Sequence, residues 1–240
     1  MISRVRSLVI RAIPLPLRSL VRRVELALLS PVIFKLAMRQ FLAHPYQLSD
    51  NLLLALIYGW GNAGHSVQHE YLKASLERAH RAQRPILECG SGLSTLLVGV
   101  IAQRTSNRVW SLEHEPFWAK RARSALEKYK ITSVELCVSG LRDYGPYDWY
   151  ALPKGEMPNN FSLVICDGPP GNTRGGRYGL LPVMQKYLSA DCTILLDDAG
   201  REDERQIAAR WAKELGVVYR IEGTKKPYAV IEPLSPSSPL

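Results

Sequence analysis

Four short runs in this 240-residue chain, apolar or rich in β-forming residues, each end in an acid. Residues 85–87 run into Glu88, residues 108–112 into Glu113, residues 161–166 into Asp167, and residues 192–196 into Asp197 and Asp198. A carboxylate at the end of a buried run can accept hydroxyl hydrogens or face a positive charge. The first acid leads into Gly90-Ser91-Gly92-Leu93-Ser94-Thr95, and then into an apolar segment to residue 101 that suits a helix. Strand, tight glycine turn and helix start together bring backbone N–H groups up to a ligand. The glycines fit because a side chain would block that approach or resist a positive φ.

The elements that position these residues follow from the pattern. Runs at 85–88, 108–113, 134–138, 161–166 and 192–196 read as strands, with helices at 93–101, 116–130 and 201–215 between them. Strands alternating with helices imply a parallel sheet covered on both faces, with ligands beyond the carboxyl ends of the strands. Residues 217–222 and 228–232 form two more strands joined by G-T-K-K-P, and residues 143–160 read as a long loop. Upstream, helices are expected at 51–58 and 66–82, the first capped by Ser49 or Asp50. The G-W-G-N-A-G-H stretch between them offers Trp60 and His65 as pocket-covering residues that bind substrate, or a plain turn with a packed tryptophan.

Composition narrows the class. With 46% hydrophobic and 22% charged residues the chain is globular. Its four cysteines stand singly, which points to buried free thiols in a reducing compartment. Most of the net charge of +9 sits in residues 1–45, where eight basic residues face Glu25 alone. No stretch there is long and apolar enough to span a membrane. The segment, broken by Pro14, Pro16 and Pro31, fits three roles: a basic amphipathic piece on an anionic membrane face, helices packed on the domain, or an organelle presequence. Nucleic acid is not expected as a partner, because no aromatic-rich basic groove accompanies the charge. The expected layout is an extension at 1–45, a helical lead-in at 46–84, a catalytic domain at 85–234 and a frayed tail at 235–240.

The glycine turn reads G-S-G-L-S-T, departing from the dinucleotide pattern G-x-G-x-x-G/A at Ser94. With Glu88 two residues before it, the stretch resembles motif I of class I S-adenosylmethionine (AdoMet) methyltransferases. Glu113 follows Glu88 by 25 residues, and Val109, Ser111, Glu113 and Pro116 match the family's v-x-s-x-E-x-x-P. The resemblance covers about residues 85–232 and implies a Rossmann-like α/β fold, doubly wound, with a seven-stranded mainly parallel sheet and an antiparallel last strand. It implies AdoMet binding by Glu88, Gly90, Ser91, Gly92, Ser94, Thr95, Glu113, His114 and Asp167. Glu88 would face the cationic methionine end, Glu113 the ribose hydroxyls, and Gly140 and Leu141 the adenine.

Asp167, Asp197 and Asp198 resemble the Mg²⁺ ligands of catechol-type O-methyltransferases, which would make Asp167 and Asp198 catalytic. Alternatively one of the paired acids caps the next helix and pairs with Arg201. The lysine that the catechol group carries three residues after the first acid is Pro170 here, so the base is unassigned. Arg174 and Arg177 would clamp an anionic acceptor, or belong to a solvated loop. The implied activity is O-methylation of a hydroxylated small molecule or glycan by a cytoplasmic enzyme, peripheral at the inner membrane face. Two alternatives stay open: an aminopropyl transferase, and a non-catalytic binding module on the same fold.

Overall fold

The computed structural model describes residues 15–61, 68–153 and 155–233, with side chains from Leu29 onward in the first helix. The chain divides into two units between Ser66 and Val67, inside the expected 46–84 lead-in.

The first unit pairs α1 (Leu15–Ala43) with α2 (Asp50–Trp60). Helix α1 runs through Pro31 instead of breaking there, so the segment expected as interrupted is one helix from Leu15 onward. Ser49 caps α2, its hydroxyl accepting from the Leu52 N–H at 3.3 Å, and Gly61 ends it in the left-handed region. Phe34 meets the Trp60 ring at 5.6 Å, while Met38, Phe41, Leu53 and Leu56 are buried.

The second unit begins with α3 (His69–Arg81) and then builds the sheet. Its elements are β1 (Ile86–Cys89), α4 (Leu93–Arg104), β2 (Val109–Glu113), α5 (Pro116–Tyr129) and β3 (Val134–Val138). There follow β4 (Leu141–Asp143), β5 (Asp148–Tyr150), β6 (Phe161–Cys166), α6 (Leu180–Met184) and β7 (Leu188–Leu196). The chain closes with α7 (Glu202–Leu215), β8 (Val218–Glu222) and β9 (Tyr228–Glu232). Seven strands form one sheet in the order β3-β2-β1-β6-β7-β9-β8. The first five are parallel, and β9 runs antiparallel to both β7 and β8. The expected α/β doubly wound arrangement is the one observed.

The order reverses between β1 and β6, which is where such a sheet opens a ligand crevice. Apart from Glu88 in β1 the two central strands carry mainly apolar side chains, as strands covered by helices on both faces must. Helix α4 is buried over nearly its whole length, and a Cβ at Gly99 would lie 2.6 Å from the Val134 side chain. Burying each large apolar side chain contributes roughly 1.5–3 kcal/mol.

Within the second unit two features differ from expectation. The segment expected as a loop at 143–160 begins in a small antiparallel ribbon, β4 with β5, turning at Gly145. Strands of three residues are too short to show an alternating pattern. Strand β7 also starts at Leu188, four residues before its apolar run.

Candidate functional site

Register decides what reaches the crevice. Cys89 pairs with Leu112 and with Cys166, and Cys166 pairs with Leu196. The next residues along these strands (Gly90, Glu113, Asp167 and Asp197) therefore share one edge. Glu88 falls two residues short of it, in register with Ser111 and Ile165.

Glu88 consequently sits beneath the turn and is 1% exposed. Its Oε2 accepts from Thr95 Oγ1 and from Ser111 Oγ, each at 2.6 Å. Thr95 Oγ1 in turn accepts from the Gly92 N–H at 2.8 Å, and Ser94 supplies a further hydroxyl beside the carboxylate. Burial pushes the Glu88 carboxyl up to about 7 against these hydrogen bonds. Its other oxygen, Oε1, has no partner among the described residues. In the folded chain Glu88 has a structural role: through Thr95 it holds the loop's shape from below.

At the turn Gly90 takes φ 91°, and a Cβ there would press to 3.1 Å on the Gly168 backbone. A Cβ on Gly168 would in turn reach 2.3 Å from the Tyr150 hydroxyl. Only small residues let the ends of β1 and β6 come this close. Gly92 and Gly140 differ from these two: an added Cβ meets nothing within 4 Å at either, so open space lies above both.

Glu113 closes β2 and is 3% exposed. Its Oε2 accepts from the Ser91 N–H at 2.8 Å and from Ser91 Oγ at 2.7 Å. Its Oε1 accepts from the N–H groups of His114 at 2.7 Å and Glu115 at 2.8 Å. About four lone-pair sites are available on a carboxylate, so a ligand hydroxyl must displace one of these donors. The Ser91 hydroxyl, free to rotate, is the cheapest to release. The His114 ring stacks edge-on to Tyr150 with centroids 5.8 Å apart. The β4–β5 ribbon is moored beside this strand end, with the Ala151 N–H donating to the Gly140 carbonyl at 3.0 Å. Gly140 and Leu141 thus lie where the chain enters the ribbon.

Carboxylate oxygens of Asp167, Asp197 and Asp198 lie within 4.8 Å of one another, as the pattern of strand ends requires. Three cations already serve them. Arg177 Nη2 donates to Asp198 Oδ2 at 3.0 Å and to Asp167 Oδ1 at 3.2 Å. Its Nη1 donates to the Asp197 carbonyl at 2.6 Å. Lys226 Nζ lies 2.7 Å from Asp197 Oδ2 and 2.9 Å from Asp198 Oδ1. Arg201 Nη1 lies 3.1 Å from Asp198 Oδ2, the pairing expected as the alternative to a metal. The donor set would suit a hard cation, but Mg²⁺ demands oxygens at about 2.0–2.1 Å in octahedral array. The Lys226 ammonium occupies that ground, so the residues present do not fit Mg²⁺.

The acids titrate apart. Burial raises Asp167 to about 8, helped by the Asp197 charge and opposed by Arg177. At Asp198 burial acts upward too, but the Lys226 hydrogen bond and the Arg177, Lys226 and Arg201 charges hold it below the ordinary value. The Asp167 side chain remains 28% exposed, against 8% for Asp198 and none for Asp197.

The arginines are placed otherwise than expected. Arg177 is 2% exposed and knits the ends of β6 and β7 together, so it is not available as a clamp for an acceptor. A glycine-rich loop reads as solvated, yet here it folds back and buries its arginine. Arg174 is half-exposed and held by Asp143 at 2.6 Å and Asp148 at 2.5 Å, tying the loop to the ribbon. Trp60 is buried in the first unit against Phe34, the packed-tryptophan alternative, and His65 lies outside the described residues. Lys226 was not singled out by sequence; a lysine in G-T-K-K-P carries no signal of burial.

No family model matches the chain, and no curated protein is significantly similar to it. Solved structures share the fold. An O-methyltransferase from Bacillus cereus in complex with SAH superposes with a TM-score of 0.55 at 17% identity, covering 76% of this chain and 90% of that one. The SAH-bound methyltransferase PaMTH1 of Podospora anserina gives 0.52 at 17%, covering 72% and 82%. The O-methyltransferase TomG from Streptomyces achromogenes, involved in tomaymycin synthesis and bound to SAM, gives 0.50 at 18%, covering 71% and 82%. At these identities the likeness is one of fold.

Proposed function

We propose that this chain is an AdoMet-dependent methyltransferase that methylates a hydroxyl of a small molecule or glycan. The observation that carries the reading is the shared strand edge, where the open glycine turn, Glu113 and Asp167 meet at the switch point of a methyltransferase-fold sheet. AdoMet, when bound, supplies a methyl group on a sulfonium sulfur. The residues present fit it: open space above Gly92 and Gly140 admits a flat ligand, Glu113 accepts ribose hydroxyls once Ser91 Oγ releases it, and His114 lies alongside. Glu88, with one oxygen unpartnered, favours positive charge above the turn.

With AdoMet bound, methyl transfer to an acceptor hydroxyl would release that hydroxyl's proton, which this chain has to accept. Asp167, the most exposed acid at this edge, takes it. Arg177 fixes that carboxylate's orientation, which lowers the entropy lost on alignment. A hydroxyl acceptor is favoured by the raised Asp167 and by the presence of O-methyltransferases among the structures that share the fold. Four buried free cysteines suit a reducing, cytoplasmic setting. Among the described residues no helix is long and apolar enough to cross a membrane. Peripheral contact with an anionic membrane is proposed on a separate observation, the exposed Leu29, Val32 and Leu36 on α1 beside Lys35 and Arg39.

Calorimetric titration of S-adenosylhomocysteine tests the core of this reading. Wild type should bind it, and Glu113→Ala should weaken binding by about 1 kcal/mol or more, roughly fivefold. Absence of binding to the folded wild type would leave the fold without its cofactor.

A further inference from the structure

We propose that Lys226 is the built-in cation of the Asp167–Asp197–Asp198 cluster, so that the protein neither needs nor binds a divalent metal there. The three carboxylates converge as a metal site would. Yet the Lys226 ammonium bridges Asp197 Oδ2 and Asp198 Oδ1 at 2.7 and 2.9 Å, using the lone pairs a metal would take.

Its position is held from both sides. Thr224 is tied to α3 by Glu70, whose Oε2 accepts from the Thr224 N–H at 3.0 Å and whose Oε1 accepts from Thr224 Oγ1 at 2.8 Å. Gly223 turns the chain with φ 86°, and the β8–β9 ladder starts at once with Glu222 opposite Tyr228. The turn therefore projects Lys226 over the end of β7, where its side chain is 30% exposed and its ammonium meets Asp197 and Asp198.

Charge completes the argument. Three carboxylates are matched by Lys226, Arg177 and Arg201, each within 3.2 Å of one of them. Asp197 is wholly buried, so its carboxylate has no water to fall back on and depends on the ammonium. A dication could enter only by expelling Lys226 into solvent or by standing beside it uncompensated. Buried like charges in contact are strongly disfavoured. Asp197 Oδ1 is buried and has no partner among the described residues, the single oxygen of that residue left unused there. Removing the lysine should free a second and recreate a vacant acidic pocket.

This claim stands apart from methyl transfer, so failure of the S-adenosylhomocysteine titration would leave it untouched. The test is Mn²⁺ binding to the full chain, followed by electron paramagnetic resonance of the free ion, in wild type and Lys226→Met. Wild type should leave Mn²⁺ free, and Lys226→Met should bind it. Saturable binding by wild type would overturn the proposal, and so would a folded Lys226→Met that also leaves Mn²⁺ free. Lys226→Gln, neutral and of similar length, repeats the comparison should the methionine variant lose its fold by circular dichroism.

Discussion

Asp167 differs from its two neighbours in what its carboxylate can still do. Asp197 is sealed under Lys226, and Asp198 is held ionised by three cations. Among the described residues Asp167 is bound by Arg177 alone; its carboxyl, though 28% exposed, is raised to about 8 by desolvation and by the Asp197 charge. A base must be deprotonated to accept a proton, so turnover should climb with pH and level off above about 8. Asp167→Asn should reduce kcat by roughly a hundredfold or more, with S-adenosylhomocysteine affinity nearly unchanged. A flat profile between pH 6 and 9, or an active Asp167→Asn, would remove Asp167 from this role. The residues around it were legible in unequal measure. Asp167 and Asp197 announced themselves by ending apolar runs, whereas Arg177 and Lys226 sit in polar connections whose burial depends on where distant strands lie.

At the scale of elements, the strands of the central sheet could be read because a strand buried on both faces has to be apolar along its length. The β4–β5 ribbon could not, since three-residue strands held by Arg174 to Asp143 and Asp148 draw on side-chain pairing that no local pattern records. Nor could the continuity of α1, where Pro31 argued for a break and tertiary packing against α2 supports the helix instead. One face of α1 buries Phe34, Ala37, Met38 and Phe41, while Leu29, Val32 and Leu36 stay exposed with Lys35 and Arg39 among them. Apolar side chains flanked by cations on one helical face match the chemistry of an anionic lipid surface. The full chain should sediment with anionic vesicles and not with neutral ones, and replacing Leu29 and Leu36 by glutamate should release it. Equal recovery with both vesicle types, or none with either, would refute membrane contact by this face.

For the molecule as a whole, the buried acid under the glycine turn should write itself into the pH dependence of folding. Glu88 is raised from its ordinary 4.5 to about 7 in the folded chain, chiefly by burial. Between those two values the unfolded chain loses this proton and the folded chain keeps it. The native state thus binds more protons there, and stability falls as pH rises. The favourable contribution is fully present below the unfolded value and is lost as pH passes through the folded one. From pH 5 to pH 8 the loss amounts to roughly 2–3 kcal/mol at about 1.4 kcal/mol per pH unit. Glu88→Gln keeps a carbonyl oxygen for Thr95 and Ser111 and cannot ionise, but it sets an amide where Oε1 had no partner. Absolute stabilities of the two proteins will therefore differ for reasons besides charge, and the slope against pH is the quantity to compare. Urea unfolding at pH 5 and pH 8 should show wild type losing that much more than Glu88→Gln. Parallel losses would mean that Glu88 is ionised throughout this range and that the loop, not the burial of charge, sets its state.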